Sequence, residues 1–282
     1  MPESPPSAFS SVLGDPEARL YKPARPTGTG VVVLAGSSGR VDAARAELLS
    51  RHGAIALAMR WFGGPGQQPG PFEVPLELFS QAVDLLAAEC DHIALMGTSF
   101  GAEAALLAAG RDQRIRATIA FAPSSVVWGA WKEDHFTSHW TAGGEALPFV
   151  PFLPDWEPDG NPPSYVHLYE LSMAGDEAAA LRAAIAVENI SGEVVLVAGG
   201  DDRVWPSADF ARRIARRRSE HGLETVVVAE EHAGHRTILP GERAVEVGMR
   251  MARGGSIEAD SELGRRAWPS IAAALRLGEA TN

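Results

Sequence analysis

The chain has 282 residues, 45% of them hydrophobic and 22% charged, with a formal net charge of −11. At roughly 100–200 residues per domain this is one large domain or two small ones. It is too apolar for global disorder and lacks the roughly 20 uninterrupted apolar residues of a membrane span. The acidic balance argues against nucleic acid as a partner, because a phosphate backbone selects basic surfaces. The one cysteine, Cys90, excludes an internal disulfide and a cysteine-based metal site. It fits a reducing compartment. Met1–Ser7 has no basic segment followed by an apolar one, so no secretory leader is expected. A cytoplasmic protein is the expectation.

Residues 1–30 are rich in Pro, Ser and Gly and read as an N-terminal arm, with a short strand near Arg19–Lys22. From residue 31 the pattern changes to a single domain running to residue 282. Val31–Ala35 is a continuous apolar run ending in Gly36-Ser37-Ser38-Gly39, the mark of a strand covered on both faces. Val41–His52 reads as a helix closed by Gly53. Ala54–Met59 is the next strand. Pro75–Glu89 places Leu76, Phe79, Val83 and Leu86 at helical spacing. Strand His92–Met96, helix Phe100–Ala109 and strand Ala117–Phe121 follow. Later come strand Val194–Ala198, helix Ser207–Arg218, strand Thr225–Ala229 and a final helix within Ser261–Leu277. Alternating strands and helices predict a mostly parallel sheet with helices on both faces.

Residues 124–175 break that rhythm. They hold four of the seven tryptophans (Trp128, Trp131, Trp140 and Trp156) and six prolines between Pro148 and Pro163. The segment is too aromatic for a solvent linker and too rich in proline for a regular crossover. It is expected to be a lid-like excursion over the sheet edge.

Chemistry concentrates in Gly97-Thr98-Ser99-Phe100-Gly101, set between an apolar strand and a helix of small residues. That is the context of a nucleophile elbow, a turn so sharp that the flanking positions must be nearly free of side chains. Ser99 is the candidate nucleophile. A serine needs a base, and the base needs an orienting carboxylate, in the chain order Ser, Asp or Glu, His for a doubly wound hydrolase. Strand Val194–Ala198 leads into Asp201-Asp202. Asp202, four residues before Pro206, is preferred as the acid over Asp201, which is placed to cap the next helix. The last strand leads into Glu230-Glu-His-Ala-Gly-His235. His235, preceded by glycine, is preferred as the base over His232.

An acyl reaction also needs donors for the developing oxyanion. The N–H of Phe100 is one candidate. The other is Ser37, or failing that Ser38, in the glycine-rich turn. That turn lacks the spacing of a nucleotide-binding loop, there is no H-E-x-x-H, and the histidines are not paired at metal-ligand spacing. No cofactor and no metal is expected. Ser38, Trp128, Trp131 and Trp205 are candidate substrate contacts. Arg212–Arg218 form either a solvated helix face or a site for an anionic substrate tail.

Several stretches together resemble the C-terminal catalytic domain of the acyl-CoA thioesterase and bile acid-CoA:amino acid N-acyltransferase family, within the α/β-hydrolases. They are His52–Gly63, Val74–Phe79, the elbow with its trailing Gly101-Ala102-Glu103, Pro123–Trp128, Ile185–Ile190 with Asp202–Ser207, and Ala233-Gly234-His235. About 30 residues precede the catalytic region, so a counterpart of the family's N-terminal β-sandwich domain is not expected in this sequence. The resemblance implies chemistry on an acyl thioester, CoA-linked in the family. The family's thioesterases use serine and its acyltransferases cysteine, so Ser99 favours hydrolysis. Acyl transfer to an amine or alcohol, and cleavage of a small ester or lactone, are the alternatives. A small-molecule substrate is the expected partner, and the sequence leaves oligomeric state open.

Overall fold

The apolar runs form strands because their side chains, alternating in direction, meet a helical layer on each face. The computed structural model describes residues 9–14, 16–158, 160–244 and 249–279. Among these, one sheet contains β1 (Phe9–Gly14), β2 (Glu17–Lys22), β3 (Thr29–Leu34), β4 (Ile55–Met59), β5 (His92–Thr98), β6 (Ile115–Phe121), β7 (Glu193–Gly199) and β8 (Val226–Glu230). The spatial order is β1-β2-β4-β3-β5-β6-β7-β8. From β4 to β8 all neighbours are parallel, whereas β1 and β2 form an antiparallel hairpin laid on the outer edge of β4. The boundary expected at residue 30 therefore does not separate an arm from the sheet. Residues 1–8 of that arm lie outside the described residues.

Two cores result. Val31 and Val33 point to the face covered by α1 (Ala43–Arg51) and α7 (Ile257–Ala274). Val32 and Leu34 point to the opposite face, covered by α2 (Glu77–Ala87), α3 (Phe100–Ala109) and a helix over Ser207–Glu220. Every residue of α3 is buried. Its alanines and glycine let it sit deep against β5 and β6, as expected of a helix apolar all round. No helix among the described residues is long and apolar enough to cross a membrane.

The excursion is more regular than its prolines suggest. It contains a hairpin of Gly129–Lys132 with His135–Ser138. A short strand, Trp140–Ala142, runs parallel to Val74–Pro75. Helix α4 (Val166–Gly175) completes it, and α5 (Glu177–Arg182) follows, ahead of α6 (Ser207–Glu220). Trp128 and Trp140 are fully buried and belong to the core on the α2–α3 face. Burial of such a side chain stabilises by about 1.5–3 kcal/mol or more, so half of the excursion's tryptophans hold it down.

Candidate active site

The turn at Ser99 is strained for a physical reason. Ser99 has φ +59° and ψ −125°, a backbone region that L-residues other than glycine rarely occupy. Strand β5 and helix α3 approach so closely there that a Cβ on Gly97 would collide with the Gly101 carbonyl. A Cβ on Gly101 would come within 2.5 Å of the Ala35 carbonyl oxygen. Both flanking glycines are thus demanded by contact. The Ser99 N–H donates to the Phe121 carbonyl at 2.9 Å, fixing the elbow to β6. Gly36, after β3, packs against Ser99, with a hypothetical Cβ 3.0 Å from the serine Cβ. The glycine-rich turn and the elbow are therefore neighbours. The Phe100 N–H belongs to the first turn of α3, where amides have no partner within the helix and the helix end is positive.

Asp202 and His235 meet after β7 and β8. The His235 Nδ1 donates to Asp202 Oδ2 at 2.8 Å, with both side chains buried. Asp202 Oδ1 accepts from the Val204 and Trp205 backbone N–H groups at 2.9 and 3.3 Å, which fixes the carboxylate. Asp201 turns away, accepting from Arg203 Nε at 2.6 Å and from the Gly255 N–H at 2.9 Å. His232 is exposed. Of the two aspartates and two histidines weighed, the geometry brings Asp202 and His235 together and leaves Asp201 and His232 apart. The Ala233-Gly234-His235 turn needs its glycine, because a Cβ on Gly234 would strike the Gly254 carbonyl. Asp260, at the start of α7, accepts from the Gly234 N–H at 2.7 Å. Burial, opposed by that hydrogen bond, pushes its carboxyl up to about 6.

Ser99, Phe100, Ser37, Ser38 and His235 all line one cavity of about 950 Å³. Of the tryptophans expected to contact substrate, only Trp131 lines it. Trp128 and Trp205 are fully buried and make structural contacts instead. The Trp128 ring stacks on Phe152 at 5.6 Å, and Trp205 Nε1 donates to the Ala122 carbonyl at 3.2 Å. Arginines 212–218 do not reach the cavity. Arg213 pairs with Asp209 and Arg217 with Glu188, while buried Arg218 donates to the Val187 and Ile190 carbonyls. Arg213, Arg217 and Arg218 thus hold α6 to itself and to the segment before β7. Among the described residues, no group of three His, Cys, Asp or Glu is arranged to hold a metal.

Three residues near the elbow and the cavity were given no role from the sequence. Glu103, one turn into α3, is fully buried. Its Oε1 accepts from Trp140 Nε1 at 2.7 Å and from the Trp128 N–H at 3.2 Å, while Oε2 has no partner. Burial pushes its carboxyl up to about 8, which favours the neutral form, and its hydrogen bonds tie the excursion to the elbow helix. His139 lines the cavity, with its ring 4.1 Å from that of Phe100. Its Nδ1–H donates to the Trp128 carbonyl at 2.8 Å, and burial pulls its pKa down to about 4. Arg45, on α1, donates to Glu242 at 2.7 and 2.9 Å, to Thr98 Oγ1 at 3.0 Å and to the Thr237 carbonyl at 3.1 Å. Burial opposes its charge, but Glu242 outweighs burial and its pKa lies above the ordinary value. This buried pair joins the residue before Ser99 to the loop after His235.

The strand order and the elbow define an α/β-hydrolase enzyme. Residues 74–276 match the family model "BAAT / Acyl-CoA thioester hydrolase C terminal". That is well over half of the chain, and the chain belongs to this family. Among curated proteins none matches significantly. Among solved structures, a putative dienelactone hydrolase from Klebsiella pneumoniae is similar, with TM-score 0.58, 13% identity, 95% of this chain and 98% of that one covered. A dienelactone hydrolase-like promiscuous phosphotriesterase from metagenomic libraries gives TM-score 0.53, 19% identity, and coverage of 97% and 100%. A puromycin-hydrolysing peptidase from Mycobacterium tuberculosis gives TM-score 0.59 and 15% identity, and this chain spans 40% of that protein. At these identities the likeness is one of fold.

Proposed function

We propose that the chain is a serine hydrolase that cleaves an acyl thioester through an acyl-enzyme on Ser99. The observation that carries this reading is the buried 2.8 Å Asp202–His235 pair, whose histidine lines one cavity with a strained elbow serine, in a chain of the acyl-CoA thioester hydrolase C-terminal family. Asp202 holds the imidazole with its Nδ1 protonated, which leaves Nε2 as the base. His235 takes the Ser99 proton as Oγ attacks the acyl carbon. Oxyanion charge falls on the Phe100 and Ser37 N–H groups, each worth roughly 3 kcal/mol in the transition state. His235 returns the proton to the leaving thiol, and water, activated by the same base, releases the acid. The apolar side of the cavity, with Trp131, Phe152 and Leu168, suits the acyl chain.

A panel of acyl-CoAs and p-nitrophenyl esters, followed by thiol and nitrophenol release, tests the substrate class. Thioesters are expected to lead in kcat/KM. Equal or faster turnover of simple esters removes the thioesterase reading and keeps the hydrolase one. Conjugate in place of free acid when an amine is added points to acyl transfer instead.

A further inference from the structure

Two polar side chains of the excursion reach the cavity with hydrogen-bonding capacity left over. Tyr169, on α4, is buried and lines the cavity. Its ring packs edge-on against Trp128 at 4.6 Å, Phe152 at 5.2 Å and Trp205 at 5.3 Å. Among the described residues its hydroxyl has no hydrogen-bond partner. His139 is the second. Its Nδ1–H is spent on the Trp128 carbonyl at 2.8 Å, which makes Nε2 the acceptor, and among the described residues Nε2 has no partner either. The side-chain polar atoms that are both sealed and unpartnered among the described residues belong to Thr29, Ser50, Glu103 and Thr118. The Tyr169 hydroxyl and His139 Nε2 are not among them. Each therefore keeps an open face, and both residues line the cavity that holds Ser99.

The two share a support. Both flank Trp128, His139 on its carbonyl and Tyr169 on its ring. Both also adjoin the reacting centre. The His139 ring lies 4.1 Å from that of Phe100, the residue after Ser99. Tyr169 and the base His235 pack on the same Trp205, at 5.3 and 5.7 Å. Their protonation is fixed by the site. Burial, then the Glu103 and Asp202 carboxylates, push the Tyr169 phenol up, so it keeps its proton and donates. Burial, opposed by the bond to Trp128, pulls His139 down to about 4, so the ring is neutral near neutral pH and Nε2 accepts. Around this donor and acceptor the cavity wall is apolar, with Trp131, Phe152 and Leu168. A plain alkyl chain laid against that wall would take water from both groups and leave them unpaired, which is costly. A group that both accepts and donates would satisfy them, and a few such polar groups in an apolar pocket set its specificity.

We propose that Tyr169 and His139 select an acyl group carrying a hydroxyl or a secondary amide close to the reacting carbonyl. The Tyr169 hydroxyl donates to the oxygen of that group, and His139 Nε2 accepts its O–H or N–H. This rests on the serine-hydrolase reading, which it deepens by naming the acyl group.

Thioesters of one leaving group, N-acetylcysteamine, give the matched comparisons. α- and β-Hydroxybutyryl against butyryl add only a hydroxyl. N-Acetylglycyl against pentanoyl places an amide in a chain of the same length. The wild type is expected to favour the polar member of at least one comparison by about tenfold or more in kcat/KM, as for a site whose polar groups an alkyl chain would strand. The comparison that responds distinguishes hydroxyl from amide. Tyr169→Phe removes one unpartnered oxygen and keeps the ring, so it should melt at or above the wild type and bring the ratio towards one. His139→Phe keeps a ring against Phe100 and should also bring the ratio towards one. Ratios near one throughout, a ratio unmoved by Tyr169→Phe, or a Tyr169→Phe melt well below wild type overturn the proposal. Calorimetric binding of the same thioesters to Ser99→Ala separates the two readings. A binding preference for the polar member without turnover in the wild type keeps the polar pair and removes the serine-hydrolase reading. Turnover without preference does the reverse, and the absence of both overturns the two together.

Discussion

The decisive chemistry rests on single atoms. If Asp202 holds His235 in the tautomer that leaves Nε2 free, Asp202→Asn should preserve the packing and lower kcat by roughly three to four orders of magnitude. Ser99→Ala should remove acyl-enzyme turnover altogether. Thermal melts within a few degrees of wild type would show that these losses are chemical. Glu103 makes a different prediction. An unfolded glutamate titrates near 4.5, whereas burial holds this one at about 8. Between those values the folded state binds more protons than the unfolded one, so this group makes stability fall as pH rises from about 4.5 to 8. Glu103→Gln keeps an oxygen for Trp140 Nε1 and removes the charge. Its melting temperature, relative to wild type, should climb across that window, and a difference independent of pH would contradict the assignment.

Ser99, Asp202 and His235 were legible as candidates because each is announced by its neighbours: glycines two residues away, a strand running into adjacent aspartates, a glycine before a histidine. Glu103, His139 and Arg45 were not legible in their roles. Their partners lie 25 or more residues away for Glu103, 11 for His139 and up to 197 for Arg45. No local pattern encodes contacts at such separations.

At the scale of elements, the elbow turns on how closely α3 approaches β3 and β5. Replacing glycine by alanine inside a helix normally gains up to about 1 kcal/mol. At Gly101 the added methyl would lie 2.5 Å from the Ala35 oxygen, and overpacking of that kind costs about 1–3 kcal/mol. The steric term wins. Gly101→Ala should therefore destabilise in denaturant titration and cut activity more than tenfold, since relief has to come from the turn bearing Ser37 or from Ser99. A neutral or stabilising result would refute the close approach.

The strands and helices flanking this turn were readable from continuous apolar runs and helical spacing, to within a few residues at their ends. Of the hairpin at residues 9–22, only the strand near Arg19–Lys22 was. Proline-rich flanks hide the rest, and the pairing with β4 reaches about 40 residues along the chain. The excursion was visible by its tryptophans, but their division of labour was not. Trp128 and Trp140 serve the core and Trp131 the cavity, a distinction set by the 25- and 37-residue contacts to Glu103.

Across the whole molecule, the Arg45–Glu242 pair links α1, the elbow strand and the loop after His235. Removing one partner of a buried pair typically costs about 3–5 kcal/mol, because the remaining charge is stranded. Arg45→Ala should fall in that range by chemical denaturation and lower activity as well. Arg45→Ala with Glu242→Ala should recover part of the stability. Loss under about 1 kcal/mol in the single variant would show that the pair is solvated and does not brace the site.

Labelling by a fluorophosphonate, read by intact mass and peptide mapping, tests the central claim most directly. The account predicts one adduct per chain, on Ser99, lost in Ser99→Ala and slowed at least a hundredfold in His235→Ala. A label on another residue, no label on the folded wild type, or an unchanged rate in His235→Ala would contradict it.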